Sequence, residues 1–592
     1  MVKMQDAAPV VSKGPARRFT LRRGVSGAKA PLPQTAGKKL KVIPLGGLQE
    51  IGRNMTIFEY GEDIIIVDMG IQFPDVDMPG VDYIIPDVTY LRGKESRVRG
   101  VVITHGHYDH IGAIPHVMPL IGNPPLYCSE MTRGIVMKRQ DDFKDKAPLN
   151  IHTVKKGDRI RLGQFEVEFF HVNHTIPGSY GLAIKTPVGT IVHTGDFKFD
   201  HSPVIDSPAD IANIARIGSE GVLALMSDST DSQTEGYSVS EGSIGKTIGS
   251  IVEHAPGRVI VATFAALVSR IQTVIEIAEQ TGRKVAVEGY SMKSNVEIAQ
   301  KLGYLRMKKG TLIPINKVND FPDNKVIVMC TGAQGESNAA LMRIVNNEHR
   351  NVRIKEGDTV IFSSSVIPGN ERTVQGVKDT LYRRGAKVIH YKMMDVHAGG
   401  HARQEDLKMM INLIKPKYLI PVHGTYFMLR LHGELAEAVG MKSEQVLIGE
   451  NGVAFEFDGQ GRGRVNTGEK VPTNYVMVDG LGVGDVGEVV LRDRQLLAQD
   501  GMFTIVVVID SKTKKIVGTP QVTSRGFIYV KENFDLVNAT KRVVEKVVKE
   551  KTVADSEVNW DYVKNNIREA VGSFLFSKTE RRPMVLPVVI EV

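Results

Sequence analysis

The sequence predicts an α/β protein: a first domain interrupted by an inserted α/β domain, with a small α/β domain behind them. Three observations carry that reading. Apolar runs between Lys41 and Thr194 end in polar loops that bear histidine or aspartate. From about Val239 to Lys392, strand-like and helix-like stretches alternate at the spacing of βαβ units on a parallel sheet. Lys417–Val422 is then another apolar run closing on a histidine, as though the first domain resumed.

The elements follow in order. At 592 residues the chain is expected to hold about three or four domains. Residues 1–41 carry ten Lys/Arg and a single acid, Asp6, so of the net charge of +8 this stretch holds +9 and the remainder about −1. With its Ala, Pro, Gly and Ser content, residues 1–39 read as a disordered basic extension, either a tether for phosphate backbones or a solvated tail. In the first domain (40–238), Lys41–Leu45, Ile64–Val67, Val101–Thr104, Phe165–Phe170 and Thr190–Thr194 read as strands. In the insert (239–392), strands are expected at Val259–Thr263, Lys284–Val287, Lys325–Met329 and Thr359–Ser363, and helices at Leu267–Gln280 and Ser294–Lys301. The first domain returns over 393–458. Gly-rich, polar 459–485 reads as a linker. The last unit, 486–592, has strands at Phe503–Ile509 and Met584–Ile590 and an amphipathic helix, Asp535–Lys551, with Val543, Val544, Val547 and Val548 on one face.

Composition narrows the chemistry. An apolar share of 42% with 24% charged residues is ordinary globular content. No run of ~18 apolar residues is present, and no apolar segment of a secretory signal opens the chain, so a cytoplasmic location without membrane insertion is expected. Two cysteines, Cys128 and Cys330, build neither a disulfide framework nor a cysteine-rich zinc module. A bound metal must therefore be held by histidine and carboxylate.

Thr104-His105-Gly106-His107-Tyr108-Asp109-His110 supplies four such groups within six residues at the end of an apolar run. On a strand-to-loop turn, His105 and His107 can converge on one ion while Asp109 and His110 face a second. Zinc accepts imidazole and carboxylate together. Two shells need more donors, and three stand at other strand ends: His174, Asp196 and His423. His171 and His193, in or beside strands, read as packing or supporting residues.

The HxHxDH signature followed by separated His, Asp and His resembles the metallo-β-lactamase superfamily. The insert, with His397-Ala398-Gly399-Gly400-His401 and then His423, resembles its β-CASP branch, which processes nucleic acids. Gly46–Gly52 (GGLQEIG), Ser227–Thr230 (SDST), Cys330–Gly332 (CTG) and Ile367–Glu371 (IPGNE) are similar to the ribonuclease J family, a likeness running from about Leu40 to the end. It implies an αββα sandwich carrying the insert and a C-terminal dimerisation domain. It also implies one zinc at His105, His107 and His174, another at Asp109, His110 and His423, and Asp196 bridging them. Asp68 would support the metal loop. Asp228, His401 and His423 would be motifs A, B and C, and His397–His401 a loop whose small residues let backbone amides meet a phosphate. On that likeness, hydroxide readied by two zinc ions attacks the phosphodiester and His401, oriented by Asp228, protonates the leaving 3′-oxygen. The products carry a 5′-phosphate and a 3′-hydroxyl. The implied function is a 5′-to-3′ exonuclease with endonuclease activity on single-stranded RNA bearing a 5′-monophosphate. It would serve mRNA decay and rRNA maturation as a homodimer or homotetramer. Manganese suits the same ligands.

The alternatives are a β-CASP DNA nuclease, which tends to carry valine where His423 stands; a small-molecule metallohydrolase, which would lack the insert; and a catalytically weak RNA-binding subunit, which would have lost ligands. Three positions depart from the family's usual residue: Tyr108 (often Glu), Ser269 (His) and Tyr290 (Arg). The first is not a ligand position; the other two bear on 5′-end recognition. Glu241–Thr247 resembles a phosphate loop, but Ser240 stands where its first glycine belongs. Met393-Met394 and Met409-Met410 read as core packing.

Overall fold

The computed structural model describes residues 38–75, 77–143, 148–336, 339–366, 369–552 and 558–592. The expected basic extension lies outside them except for Lys38 and Lys39. Lys39 is already tied down, its Nζ 2.9 Å from Glu456.

Two mixed sheets face each other. The first has eight strands in the order Gly463–Lys470, Val453–Phe457, Leu40–Gly46, Met55–Tyr60, Asp63–Val67, Val98–Val102, Leu126–Cys128, Ile151–Thr153. The second has six: Tyr418–Val422, Ala224–Asp228, Thr190–His193, Tyr180–Lys185, Phe165–His171, Arg159–Leu162. Alternation along the strands sends one set of side chains inward. Phe58, Ile65, Val67 and Val102 of the first sheet pack with Phe169, Leu182, Ile191, Met226 and Ile420 of the second. The opposite faces are covered by helices. Glu130–Asp141 lies on the first sheet, and Ile211–Ser219, Gln404–Ile414 and Tyr426–Ala438 lie on the second. This is the expected αββα arrangement.

The insert is a five-stranded, wholly parallel sheet, ordered Lys284–Glu288, Val326–Cys330, Val259–Ala262, Thr359–Phe362, Lys387–His390. Its strands are buried on both faces, which explains their unbroken Val/Ile runs. One face shares a continuous core with the helical side of the first sheet, so sandwich and insert are packed together. In the C-terminal unit, Met502–Ile509 runs between Gln521–Arg525 (antiparallel) and Met584–Glu591 (parallel), backed by helices Phe534–Lys551 and Trp560–Thr579. Val544, Val547 and Val548 are buried there as the helical spacing requires.

Several expectations need correction. Residues 459–485 are not a bare linker: Gly463–Lys470 extends the eight-stranded sheet, and Val476–Asp479 pairs with Tyr83–Ile85 of the first domain. Gly463–Lys470 is a polar edge strand, exposed enough to resemble loop sequence, and Val476–Asp479 is a short middle strand of a three-stranded sheet. Met409 and Met410 pack in the core, but Met393 and Met394 are exposed. The phosphate-loop look-alike is the first two turns of helix Glu241–His254, whose N-cap is Ser240. Helices Glu488–Asp500 and Trp560–Thr579 lay in stretches read without helices. Among the described residues, no helix is long and apolar enough to cross a membrane.

Candidate metal centre

The loop His105–His110 leaves the strand Val98–Val102 at the edge of the sandwich and is clamped by the chain leaving the neighbouring strand. Met69 N–H donates to the His110 carbonyl (2.7 Å), Ile71 N–H to Tyr108 (3.0 Å), and Asn54 N–H to Asp109 (3.0 Å). The approach is so close that a Cβ on Gly70 would stand 1.5 Å from the Asp109 carbonyl oxygen, so only glycine fits. Asp68 and His423 sit at strand ends in the left-handed region, with φ of 62° and 54°. Such strain in buried non-glycine residues persists only where surrounding bonds over-determine it. The His423 N–H donates to the Gly47 carbonyl (2.8 Å), and Leu48-Gln49 pairs with Gly424-Thr425. The glycine-rich segment Gly46–Gly52 therefore serves to hold the His423 turn.

Two groups of donors result, and they share one atom. In the first, His105 Nε2 and His174 Nε2 each lie 3.1 Å from His107 Nδ1, and 3.7 and 3.8 Å from Asp196 Oδ2. In the second, Asp109 Oδ2 is 3.2 Å from His423 Nε2 and 3.5 Å from His110 Nε2. The same Asp196 Oδ2 lies 3.3 Å from His110 Nε2 and 4.0 Å from His423 Nε2. A tetrahedral zinc with bonds of ~2.0–2.1 Å sets its donors about 3.3–3.4 Å apart. The donor sets therefore fit a metal ion in each half, with Asp196 between them.

The far nitrogen of each imidazole is also engaged, which fixes the one left for a ligand. His110 Nδ1 faces Asp68 (2.7 Å), and His423 Nδ1 faces Thr230 Oγ1 (2.5 Å) with Asp228 Oδ1 3.6 Å away. His105 Nδ1 meets Thr104 Oγ1 (3.1 Å), His107 Nε2 meets Thr175 Oγ1 (3.0 Å), and His174 Nδ1 meets the Gly400 carbonyl (2.7 Å). Electrostatics follow. Burial, reinforced by neighbouring imidazoles, holds His105 and His174 well below the usual imidazole value, and burial takes His107 down to about 4. Burial opposes charge on His110 and His423 too, but the surrounding carboxylates prevail and lift His110 well above its ordinary value and His423 to about 10. Asp109 and Asp196 stay ionised: burial would raise them, and the histidines hold them well below the carboxylate range.

His401 stands next to this cluster, its ring stacked on His423 at 5.6 Å and its Nδ1 2.8 Å from Asp228 Oδ2. Burial would depress its imidazolium, but Asp228 outweighs burial and lifts it to about 9. The side chains of His401 (23% exposed) and Asp109 (30%) are open to solvent. In the same loop, Gly400 closes on His174: a Cβ there would lie 2.6 Å from the ring. Ala398 is buried and Gly399 half-buried. His397 turns away to pack on Phe264, ring centroids 5.8 Å apart. Of the expected supporting histidines, His193 accepts the Gly195 N–H (3.0 Å) at the turn presenting Asp196, and His171 faces the Ser207 carbonyl (2.9 Å).

Sequence reasoning missed the roles of Thr104, Thr175 and Thr230, whose hydroxyls meet the imidazoles directly, and of Asn54, which holds the Asp109 carbonyl. It also missed Arg270, fully buried, whose guanidinium binds Glu241 (2.9 Å), Ser363 and the Val396 carbonyl (2.8 Å) and so fixes the start of the His397–His401 loop. Of the departures, Ser269 lines a small cavity with His174, Thr175, Asp200 and Glu241, and Tyr290 is exposed on the insert.

A sandwich whose strand ends converge on two adjoining His/Asp donor sets, closed over by an inserted parallel-sheet domain, defines a metal-dependent hydrolase of the β-lactamase superfamily. Residues 79–214 match the family model for a beta-lactamase superfamily domain, and 256–381 the model for a ribonuclease J beta-CASP domain. Residues 388–447 match a Zn-dependent metallo-hydrolase RNA specificity domain, and 489–592 a ribonuclease J C-terminal domain. The chain is 40% identical over 555 residues to ribonuclease J2 of Bacillus subtilis, covering 94% of this chain and 99% of that one. It is 40% identical over 552 residues to ribonuclease J 1 of Streptococcus pyogenes (93% and 97%) and 37% identical to ribonuclease J 2 of Staphylococcus aureus over 555 residues (94% and 99%). The chain belongs to the ribonuclease J family.

Proposed function

We propose that this chain hydrolyses the phosphodiester bonds of single-stranded RNA with two zinc ions. His105, His107 and His174 would hold one, Asp109, His110 and His423 the other, with Asp196 shared. The carrying observation is the single Asp196 oxygen within 3.3–4.0 Å of four imidazole nitrogens from both halves. When bound, the ions supply the Lewis acidity that readies water for attack and balances phosphoryl charge. The chain's own residues do the rest. The Gly399-Gly400 backbone gives a phosphate room to approach, with Ala398 and His397 anchoring that loop. His401, protonated and oriented by Asp228, donates its proton to the departing 3′-oxygen, leaving a 5′-phosphate and a 3′-hydroxyl.

On this reading the enzyme works from 5′-monophosphate ends in the 5′-to-3′ direction and also cuts internally, in mRNA decay and rRNA maturation in the cytoplasm. Manganese can replace zinc at such ligands. The experiment is elemental analysis together with sizing of products from 5′-labelled monophosphate and triphosphate RNAs. About two ions per chain and released mononucleotide support it; metal-free protein, or RNA left intact, refutes it. We further propose that the C-terminal unit forms a homodimer, which can pair into a homotetramer. Val588 and Ile590 are 41% and 45% exposed on its sheet, an apolar face that a second copy would cover. Light scattering on V588E/I590E should then report a smaller particle than wild type, and an unchanged mass removes that assignment.

A further inference from the structure

One patch beside the cluster combines aromatic rings and cations and takes no part in holding the donors. Tyr108 lies in the chain between His107 and Asp109, its side chain 38% exposed. Tyr290 opens the insert helix Tyr290–Lys301 and is 68% exposed. Helix Glu130–Asp141 runs between them and supplies Lys138 and Arg139. Lys138 Nζ stands 5.4 Å from the Tyr290 ring centroid, and Arg139 Cζ 5.4 Å from that of Tyr108. Arg139 is further packed over Phe143 (4.6 Å) and Tyr83 (5.2 Å), with Asp142 at 3.8 Å. The two helices meet without slack: a Cβ on Gly134 would lie 2.6 Å from Ile298 Cγ2. The patch thus bridges sandwich and insert on a rigid base.

We propose that Tyr108 and Tyr290 form a stacking platform for bases of single-stranded RNA within about two nucleotides of the cut, with Lys138 meeting the phosphate between them. The proposal rests on the ribonuclease reading and adds where the bases, as distinct from the phosphates, are held. Three arguments carry it. Every nucleobase has a π-face, so stacking on tyrosine holds RNA without selecting its sequence, as an enzyme of RNA turnover requires. A cation over a ring keeps its full charge, so Lys138 is ordered by Tyr290 yet still free to attract phosphate. Consecutive Cα atoms are 3.8 Å apart, so Tyr108 stands about one residue's length from two of the donors, which ties the platform to the nucleotides flanking the reacting phosphate.

The test is kcat/KM on a short single-stranded oligoribonucleotide in which one abasic nucleotide is moved along the chain. Wild type should lose about tenfold when the abasic site falls on the platform and little elsewhere. Tyr290→Ala should lose the same factor on intact RNA and nothing more on that abasic substrate, whereas Tyr290→Phe should stay within about twofold. A flat abasic scan in wild type, or equal losses for Tyr290→Ala on intact and abasic RNA, overturns the platform while the ribonuclease reading stands. If Tyr290→Ala fails to fold by circular dichroism, the wild-type scan and Tyr290→Phe decide alone. Failure of wild type to cleave any RNA overturns the ribonuclease reading itself.

Discussion

The two halves of the donor cluster have equal numbers of candidate donors but different surroundings. Behind His105, His107 and His174 stand neutral partners, namely two threonine hydroxyls and the Gly400 carbonyl. Behind His110 stands the Asp68 carboxylate, behind His423 stand the Thr230 hydroxyl and, 3.6 Å away, the Asp228 carboxylate, and Asp109 adds a third carboxylate beside them. In the first half burial suppresses charge on the imidazoles, and in the second carboxylates lift the imidazoles toward the protonated form. Ligand softness and charge are thus set by what lies behind the donors, and the halves should differ in which ion they prefer.

The strongest way to break the contrast is to remove what the halves share. Asp196→Asn should lower RNA cleavage by about a thousandfold and take metal content below one ion per chain, because both sets lose the charge of their common carboxylate. Plasma emission spectrometry alongside the cleavage assay checks it; retention of two ions would deny the shared role. Next comes the carboxylate backing. Asp68→Asn should weaken metal binding about 10- to 100-fold in the Asp109–His110–His423 half, where it backs His110 directly, and less in the other, which it reaches only through the Thr104 hydroxyl. Titration calorimetry would then show one strongly and one weakly altered site. Two equally weakened sites would erase the difference. Gly400→Ala acts from outside both halves: the added Cβ pushes on the His174 ring and should cost on the order of tenfold to a hundredfold in kcat through misplacement of about 1 Å. Retained kcat with intact metal content would count against that contact. The smallest effect sharpens the comparison. With both metals offered, manganese should enrich in the carboxylate half and zinc in the imidazole half. Anomalous scattering at the two edges reports the occupancies, and a random mixture contradicts the assignment.

What the sequence revealed tracks how locally each feature is encoded. The donors were legible because HxHxDH packs four of them into one turn and the other three each end an apolar strand. Their supports were not. Thr230 reaches a histidine 193 positions away, and Asn54 clamps a backbone carbonyl 55 positions on, neither of which leaves a periodic trace. Gly46–Gly52 was noticed as a string, but its role in holding His423 needs the strand pairing to be seen. The buried runs of the insert read correctly because parallel strands are apolar on both faces. Gly463–Lys470 failed for the opposite reason: an edge strand with both faces half in water has no alternation to detect. Helix Glu488–Asp500 buries only Leu491 fully, so it offered no apolar stripe.

His423 belongs to a strand that re-enters the sandwich only after the whole insert, and it meets Asp109 across 314 positions of chain. During synthesis the N-terminal end emerges first, so the seventh donor is the last to arrive. A growing copy would lack the complete donor set until residue 423 of 592 has left the ribosome, and a fragment terminated before that point would never acquire it. The order in which residues leave the ribosome would thus serve as a built-in safety catch.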